Sequence, residues 1–172
     1  MRIAFTMAPG RGGTDLLLHG VAAALIAQGT RPAGIVQINT ERGGGAPCDM
    51  DVLVLPDGPT VRISQSLGPG ARGCRLDPEG LETAAGLMAE TLPRSDCLIV
   101  NKFGKHEADG RGFRPVIVEA LDIGLPVLIG LNALNEAAFE AFSGGLAQRL
   151  PPRRDALVDW LEAAIAAPAG VA

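Results

Sequence analysis

Hydrophobic residues alternate along the chain between short β-branched runs and longer segments in which apolar positions recur every three or four residues. The short runs predict strands at Ile3–Met7, Gly34–Ile38, Val52–Leu55, Leu98–Val100 and Val127–Leu131. The longer segments predict helices at Asp15–Gln28, Pro78–Leu92, Phe113–Ile123, Glu136–Phe142 and Asp155–Ile165. This alternation of strand and helix favours an α/β fold of three layers, with a mostly parallel central sheet between two layers of helices.

Glycine and proline interrupt the alternation between Pro56 and Asp77. Two short strand-like pieces, Val61–Ser64 and Cys74–Leu76, lie in this stretch, which predicts a small β-hairpin near residues 60–76 or an excursion from the main sheet. A length of 172 residues fits one domain. We therefore expect residues 1–172 to form a single α/β domain.

Composition narrows the class of partner. The net charge is −4 and the isoelectric point is about 5.1, which argues against binding to nucleic acid because that requires clustered Lys and Arg. The apolar run before Pro9 is too short for a signal peptide, and no run is long enough to cross a membrane. We expect a cytoplasmic protein without a membrane partner. Trp160 lies on the apolar stripe of its helix, so it is either a core residue or a contact in a homo-oligomer.

Three cysteines, Cys48, Cys74 and Cys97, lie far apart in the sequence. They form no C-x-x-C pair, and the chain has only two histidines. Neither a zinc site nor a disulfide framework is therefore expected.

A glycine-rich turn between the first strand and the first helix is the first candidate site. The stretch "MAPGRGGTD" spans residues 7 to 15. If Gly12 and Thr14 are aligned with the phosphate-binding pattern G-x-x-x-x-G-K-[ST], Met7 replaces its first glycine and Gly13 replaces its lysine. A helix N-terminus with flexible glycines can still bind an anion through backbone N–H groups. The candidate residues are Gly10, Arg11, Gly12, Gly13, Thr14 and Asp15, although the Asp15 carboxylate would oppose an anion; a tight turn without a ligand is the alternative.

A polar segment after the fourth predicted strand is the second candidate site. Asn101 and Lys102 directly follow the buried run, and a loop of charged residues comes next. Ligands of open α/β sheets bind at the carboxyl ends of the strands, so cations here are well placed for a phosphate or another oxyanion. A solvated polar loop is the alternative. The candidate residues in the loop are Lys105, Glu107, Arg111 and Arg114.

These two segments, with others along nearly the whole chain, resemble a known family. The chain is similar to the bacterial domain family of unknown function numbered 2478, which itself resembles the small P-loop nucleoside-triphosphatases. The resemblance implies a P-loop-like fold, and the frequent position of such genes beside molybdate-uptake genes suggests a role without indicating a reaction. The segments that carry it are "GIVQIN", "GGAPCDMDVLVL", "ISQSLGPGARGCRLDPEGL", "LIVNKFGKHEADGRGFR" and "FEAFSGGLAQRLP".

One departure from the nucleoside-triphosphatases bears on catalysis. Where those enzymes have Asp-Glu-Ile-Gly-Lys-x-Glu, this chain has Asn-Lys-Phe-Gly-Lys-His-Glu from Asn101 to Glu107. The resemblance implies that the lost Asp would help to hold Mg²⁺ and that the lost Glu would assist the attacking water. We therefore do not expect Mg²⁺ as a cofactor and assign no metal ligand or catalytic residue. The carboxylates that could substitute are Asp15, Asp49, Asp51 and Glu107.

Together these observations predict a P-loop-like protein that binds a small anionic ligand and has an accessory or regulatory role. The lysine missing at Gly13 is replaced in this hypothesis by Lys102, which approaches the loop from the neighbouring strand. The ligand would be a nucleotide phosphate or an oxyanion such as molybdate. Two alternatives stay open: an active nucleoside triphosphatase or phosphotransferase with a rearranged site, and an interaction scaffold with a vestigial loop. If the protein is an enzyme, we expect a hydrolase of the nucleoside-triphosphatase type.

Overall fold

The computed structural model describes residues 2–10, 12–40, 48–65 and 75–167. The described strands are β1 (Ile3–Thr6), β2 (Pro32–Thr40), β3 (Asp49–Leu55), β4 (Thr60–Arg62), β5 (Cys97–Val100), β6 (Val127–Gly130) and β7 (Gln148–Leu150). The described helices are α1 (Gly13–Ala27), α2 (Pro78–Thr91), α3 (Lys105–Ala108), α4 (Arg114–Asp122), α5 (Glu136–Ser143) and α6 (Arg154–Ala166). Every strand and helix that the hydrophobic pattern predicted is present, and β7 and α3 are additional.

All seven strands belong to one sheet, in the order β4-β3-β2-β5-β6-β1-β7. Four neighbouring pairs in this order are parallel, namely β2–β5, β5–β6, β6–β1 and β1–β7. These pairs confirm the predicted mostly parallel sheet. The pairs of β3 with β2 and with β4 are antiparallel. The predicted hairpin near 60–76 continues this edge, since Ser64 forms an antiparallel bridge with Leu76 and β4 stays within the main sheet. Residues 66–74, which include Cys74, lie outside the described part.

Helices cover both faces of the sheet and form two hydrophobic clusters. One cluster includes Leu81 of α2, Ile117 of α4 and Phe139 of α5. The other includes residues of α1 and α6, such as Leu18 and Leu161. Successive strand residues point to opposite faces, so that β5 contributes Leu98 and Val100 to the first cluster and Cys97 and Ile99 to the second. The result is the three-layer α/β/α arrangement predicted from the sequence.

The longest helix in the described ranges is α1, with 15 residues. None of the helices in those ranges is both long enough and apolar enough to cross a membrane.

The sheet brings the two candidate segments to the same edge. Strands β1, β6, β5 and β2 are parallel, so their carboxyl ends lie together. The glycine-rich turn follows β1 and Asn101 follows β5, with β6 between them. Gly130 at the end of β6 allows Asn101 and Thr14 to lie close on either side of this strand. A Cβ at residue 130 would overlap the Asn101 carbonyl oxygen and lie 2.8 Å from Thr14 Cγ2.

Candidate anion-binding site

The glycine-rich turn wraps the start of α1. Gly10 and Gly12 have φ angles of +82° and +79°, in the left-handed region that favours glycine. Gly12 is the N-cap of α1, and its carbonyl accepts the first helical hydrogen bond from the Leu16 N–H. The first N–H groups of any helix have no partner within that helix, and they carry a partial positive charge. The turn therefore presents backbone donors at its concave side. Arg11, predicted to contribute, lies outside the described residues.

Thr14 fixes the shape of the turn from inside. Its side chain is buried, and its Oγ1 accepts a hydrogen bond of 3.0 Å from the Ala8 N–H. This bond joins the end of the segment after β1 to the first turn of α1. A hydroxyl that accepts one hydrogen bond still has its own proton to donate. Thr14 also lines the cavity at the turn, and its predicted role in anion binding stays a prediction.

Asp15 contributes a buried negative charge to the site and contacts both Asn101 and Lys102. Its carboxylate is buried, with 3% of the residue exposed, and lies in the first turn of α1. Its Oδ1 accepts a hydrogen bond of 2.9 Å from Asn101 Nδ2 and lies 3.3 Å from Lys102 Nζ. The helix N-terminus also favours a carboxylate at this position. The lysine that the sequence places near the glycine turn is therefore balanced by a carboxylate in the same site.

The cavity at the turn has a volume of about 480 Å³. Gly10, Gly12 and Thr14 line one side, and Asp15 and Lys102 line another. The segment after β6, at Leu131–Ala133, completes the wall. That segment was not predicted as part of the site, although its place after a parallel strand is the signal that could have identified it.

The donor set of this cavity does not fit a divalent metal ion. Among the described residues that line it, Asp15 alone carries a carboxylate, and an ammonium group already contacts that carboxylate. Asp49 and Asp51, considered as substitutes, form ion pairs of 2.9 and 3.0 Å with Arg62 at the β3–β4 edge. Across the described ranges, no three His, Cys, Asp or Glu residues are grouped as a metal site would require. No step of a reaction is assigned to Mg²⁺ here.

The charged loop after Lys102 is held mainly by hydrogen bonds between its side chains and its own backbone groups. Glu107 is buried, and its carboxylate accepts hydrogen bonds from the Gly104 N–H at 2.8 Å and the Phe113 N–H at 3.2 Å. Arg114 donates to the Glu107 carbonyl oxygen at 3.3 Å, and its guanidinium lies 4.8 Å from the centre of the Phe142 ring. Neither residue lines the cavity at the glycine turn. Their predicted role as ligands stays a prediction, and their observed contacts are structural.

Lys105 and Arg111 face a second, larger cavity. This cavity has a volume of about 650 Å³ and lies on the other side of Asn101 and Lys102, toward β2 and β3. Lys105 is exposed at the first position of α3, and Arg111 lies 3.7 Å from the Asp109 carboxylate. Of the four predicted cationic residues between Lys102 and Arg114, only Lys102 lines the cavity at the glycine turn.

Comparisons of the sequence with known proteins identify a family and a relative that the chain resembles. The family described as "Protein of unknown function (DUF2478)" matches residues 3–160. The molybdenum import ATP-binding protein ModC 2 of Bradyrhizobium diazoefficiens is 38% identical over 150 residues. That match includes 85% of this chain, but the chain spans only 16% of the length of the relative.

A solved structure has the same fold over nearly its whole length. The solution structure of a human cancer-related nucleoside triphosphatase superposes with a TM-score of 0.63, covering 95% of this chain and 97% of the other. The identity is 21%, so the likeness establishes the fold. The α/β architecture expected from the sequence, similar to that of the P-loop nucleoside-triphosphatases, is confirmed.

Proposed function

This chain belongs to the DUF2478 family, and from that premise and the geometry of its glycine turn we propose that it binds a tetrahedral oxyanion without Mg²⁺-dependent hydrolysis. The bound group is a nucleotide phosphate or a free oxyanion such as molybdate. Its role is accessory or regulatory, as a binding protein whose occupancy is sensed by a partner.

One observation carries this proposal: the left-handed glycines Gly10 and Gly12 place the N-terminus of the 15-residue helix α1 at the wall of a cavity. Backbone N–H groups and the helix dipole favour an anion there. The volume of about 480 Å³ accommodates a group of phosphate size. Lys102 adds a cation, because an ammonium has three donors and its contact with Asp15 uses one of them.

The choice of ligands to test comes from the similar proteins. The relative in Bradyrhizobium diazoefficiens is named as an ATP-binding protein of molybdenum import, which supports both ATP and molybdate as candidates. Molybdate and phosphate groups share tetrahedral geometry and negative charge, so the same backbone donors suit either. Nucleotide binding would also be consistent with the fold that this chain shares with a nucleoside triphosphatase.

Hydrolysis is disfavoured by the side chains beside Asp15. Enzymes of this type need a metal-binding carboxylate and a group that positions the attacking water. Here Asn101 contributes a neutral amide at the end of β5, and Lys102 contributes a cation. The second candidate function, a nucleoside triphosphatase with a rearranged site, is favoured only by the likeness in fold.

The test is a titration of the isotope-labelled chain with phosphate, sulfate, molybdate and ATP, followed by backbone amide shifts. We expect saturable shifts that are largest at Gly12, Gly13 and Thr14. In parallel, ATP and GTP turnover with Mg²⁺ should equal that of a heat-inactivated sample. Turnover that a chelator abolishes would favour the triphosphatase, and the absence of shifts at the glycine turn with every anion would favour a scaffold with a vestigial loop. Molybdate shifts without ATP shifts would identify a free oxyanion as the ligand.

A further inference from the structure

We propose that the larger cavity is a second ligand site, which binds an organic anion with an apolar body and one N–H or O–H donor. This site is separate from the glycine turn and does not depend on the function proposed for it. Three properties of the cavity support the proposal: its apolar walls, an unpaired acceptor and a cationic rim.

The walls of this cavity are apolar. Its volume of about 650 Å³ is within the range of pockets that bind small organic molecules. The side chains come from four parts of the fold, the sheet strands β2 and β3, the segment after β4, helix α2 and the loop before α4. They include Ile35, Met50, Val52, Ile63, Leu81 and Phe113. Such walls favour a ligand with a hydrophobic body, which a bare phosphate or molybdate does not have.

Asn101, one of the residues that line the cavity, has an unpaired acceptor. Asn101 lines the cavity and is 1% exposed. Its Nδ2 donates to Asp15, while its Oδ1 is buried and has no hydrogen-bond partner within the described part of the chain. A buried acceptor without a partner destabilises the folded protein. A ligand that donates one hydrogen bond to Oδ1 would remove this penalty.

The rim of the cavity is cationic. Arg75, Lys102, Lys105 and Arg111 line it, against the acidic residues Glu107 and Asp109. The Glu107 carboxylate is held by two backbone N–H groups, and Asp109 faces Arg111. Among the described residues of the rim, the Lys105 ammonium has no carboxylate partner, and it is exposed. The charge of the rim therefore complements an anionic group on the ligand.

The two cavities meet at one residue. Lys102 lines both of them, and its neighbour Asn101 connects Asp15 to the larger cavity. A ligand in the larger cavity would thus be adjacent to the anion at the glycine turn without occupying the same space.

Anilinonaphthalene sulfonate is a suitable probe for the test because it has an apolar body, one N–H and one sulfonate. Its fluorescence on titration with the chain of 172 residues should show saturable one-to-one binding. The N-methylated analogue has no donor for Asn101 Oδ1 and should bind about 2- to 12-fold more weakly. Phenylnaphthylamine, which has no sulfonate, should bind more weakly than the parent probe and should be insensitive to changes at Lys105.

Matched variants locate the probe. Met50→Trp should fill the cavity and weaken binding at least about tenfold, whereas Leu87→Trp, at a half-buried position of α2 outside the lining, should not. Lys105→Ala should weaken binding of the sulfonate severalfold, and Arg94→Ala, at an exposed position elsewhere, should leave it unchanged. Circular dichroism confirms that each variant is folded.

A measurement on the unaltered chain keeps the test independent of the variants. Amide shifts on addition of the probe should be largest at Leu81 and Phe113, and addition of phosphate should leave the affinity for the probe within about twofold. Equal binding to the Met50→Trp and Leu87→Trp variants would overturn the proposal. Displacement of the probe by ATP in direct competition would also overturn it, since the larger cavity would then be part of a nucleotide site.

Discussion

The Lys102 ammonium lies 3.3 Å from the Asp15 carboxylate, which joins the end of β5 to the first turn of α1. The two residues differ in their surroundings, because the Asp15 side chain is 5% exposed and the Lys102 side chain is 42% exposed. Lys102 can therefore turn toward an incoming anion, whereas Asp15 is fixed by Asn101 and the helix N-terminus. An anion that binds in the cavity at the glycine turn would therefore lie close to the buried Asp15 carboxylate.

Replacing Asp15 by Asn should strengthen anion binding. The substitution removes a negative charge from the cavity and keeps an acceptor for Asn101 Nδ2. Two unit charges about 5 Å apart near a protein surface interact by roughly 3 kcal/mol, and screening by salt lowers this, so a gain of about tenfold in affinity is expected. Calorimetric titration with phosphate measures it.

The control for that variant is Asp155→Asn. Asp155 also lies in the first turn of a helix, α6, but it is exposed and outside the cavity at the glycine turn. It should leave the affinity for phosphate unchanged. If Asp15→Asn weakened binding instead, the carboxylate would have to be a ligand or a necessary support of the site, contrary to the role proposed here.

Lys102→Ala should weaken anion binding by more than the loss of one hydrogen bond. A charge-assisted hydrogen bond contributes roughly 1.5–3 kcal/mol, equivalent to about 10- to 150-fold in affinity. The variant also leaves the Asp15 carboxylate without its cation. Lys105→Ala is the matched control, and its effect should be no more than about 1 kcal/mol because that side chain is exposed.

The double variant Asp15→Asn/Lys102→Ala separates the two contributions. If the residues act on the ligand through their mutual contact, the effect of Asp15→Asn on phosphate affinity should differ between the native protein and the Lys102→Ala variant. Equal losses from Lys102→Ala and Lys105→Ala would mean that Lys102 does not replace the lysine missing at Gly13.

Two glycines with nearly the same backbone conformation provide a test of the turn itself. Gly10 and Gly29 have φ angles of +82° and +87°, and a Cβ at either would meet no atom within 4 Å. Alanine should therefore destabilise the two positions alike, by about 1 kcal/mol. Only Gly10→Ala should weaken phosphate binding, because Gly29 is at the far end of α1. Equal affinities in the two variants, measured by the same titration, would exclude the glycine turn as the anion site.

The sequence was sufficient for most of the elements and less so for their arrangement. Strands such as β5 and β6 consist wholly of buried residues, so their apolar runs are clear. The edge strand β7 has only three residues, two of them exposed, and α3 has four residues, too few for a helical period. The antiparallel pairing of β2 and β3 did not follow from the predicted strand bounds, because residues 39–51 lay between them, about as many as a parallel crossover needs. The observed strands are longer and leave only residues 41–48 between Thr40 and Asp49, too few for such a crossover.

The candidate site was predictable at the level of the sheet edge and not at the level of contacts. Parallel strands bring the glycine turn and Asn101 to the same edge of the sheet, independently of the side-chain contacts made there. The ion pair of Lys102 with Asp15 depends on the reach of a lysine side chain across β6, which no local pattern encodes. The same is true of the contact between the Arg114 guanidinium and the Phe142 ring, which the sequence did not predict.

Glu107 should contribute to stability rather than to ligand binding at the glycine turn. Its buried carboxylate accepts hydrogen bonds from two backbone N–H groups that have a fixed place in the loop. Glu107→Ala should lower the free energy of unfolding by about 3 kcal/mol, and Glu107→Gln by less because one acceptor is kept. Urea denaturation measures both. Glu119→Ala, at an exposed site on α4, should change stability by no more than about 0.5 kcal/mol. A stable Glu107→Ala variant would show that the loop does not need this carboxylate.

Cys97 should make the protein less stable at alkaline pH. Burial of the thiol, helped by the charge of Asp96, raises its pKa to about 12. An unfolded cysteine titrates near pH 8.5, so above about this pH the unfolded chain loses a proton that the folded chain keeps. The free energy of unfolding therefore has its full value below about pH 8.5 and falls as the pH rises toward 12, with a limiting slope of about 1.4 kcal/mol per pH unit from this group.

Comparison with Cys97→Val isolates that slope, since lysine and arginine titrate alike in both proteins and the chain contains no tyrosine. The variant can differ in absolute stability because its packing differs, so the quantity to compare is the change in the free energy of urea unfolding between about pH 8 and pH 10. Over that range the native protein should lose about 2 kcal/mol more than the variant. Cys48 is exposed, and Cys48→Val should leave the slope unchanged. Parallel curves for the native and Cys97→Val proteins would contradict the assignment of a buried, neutral thiol to the start of β5.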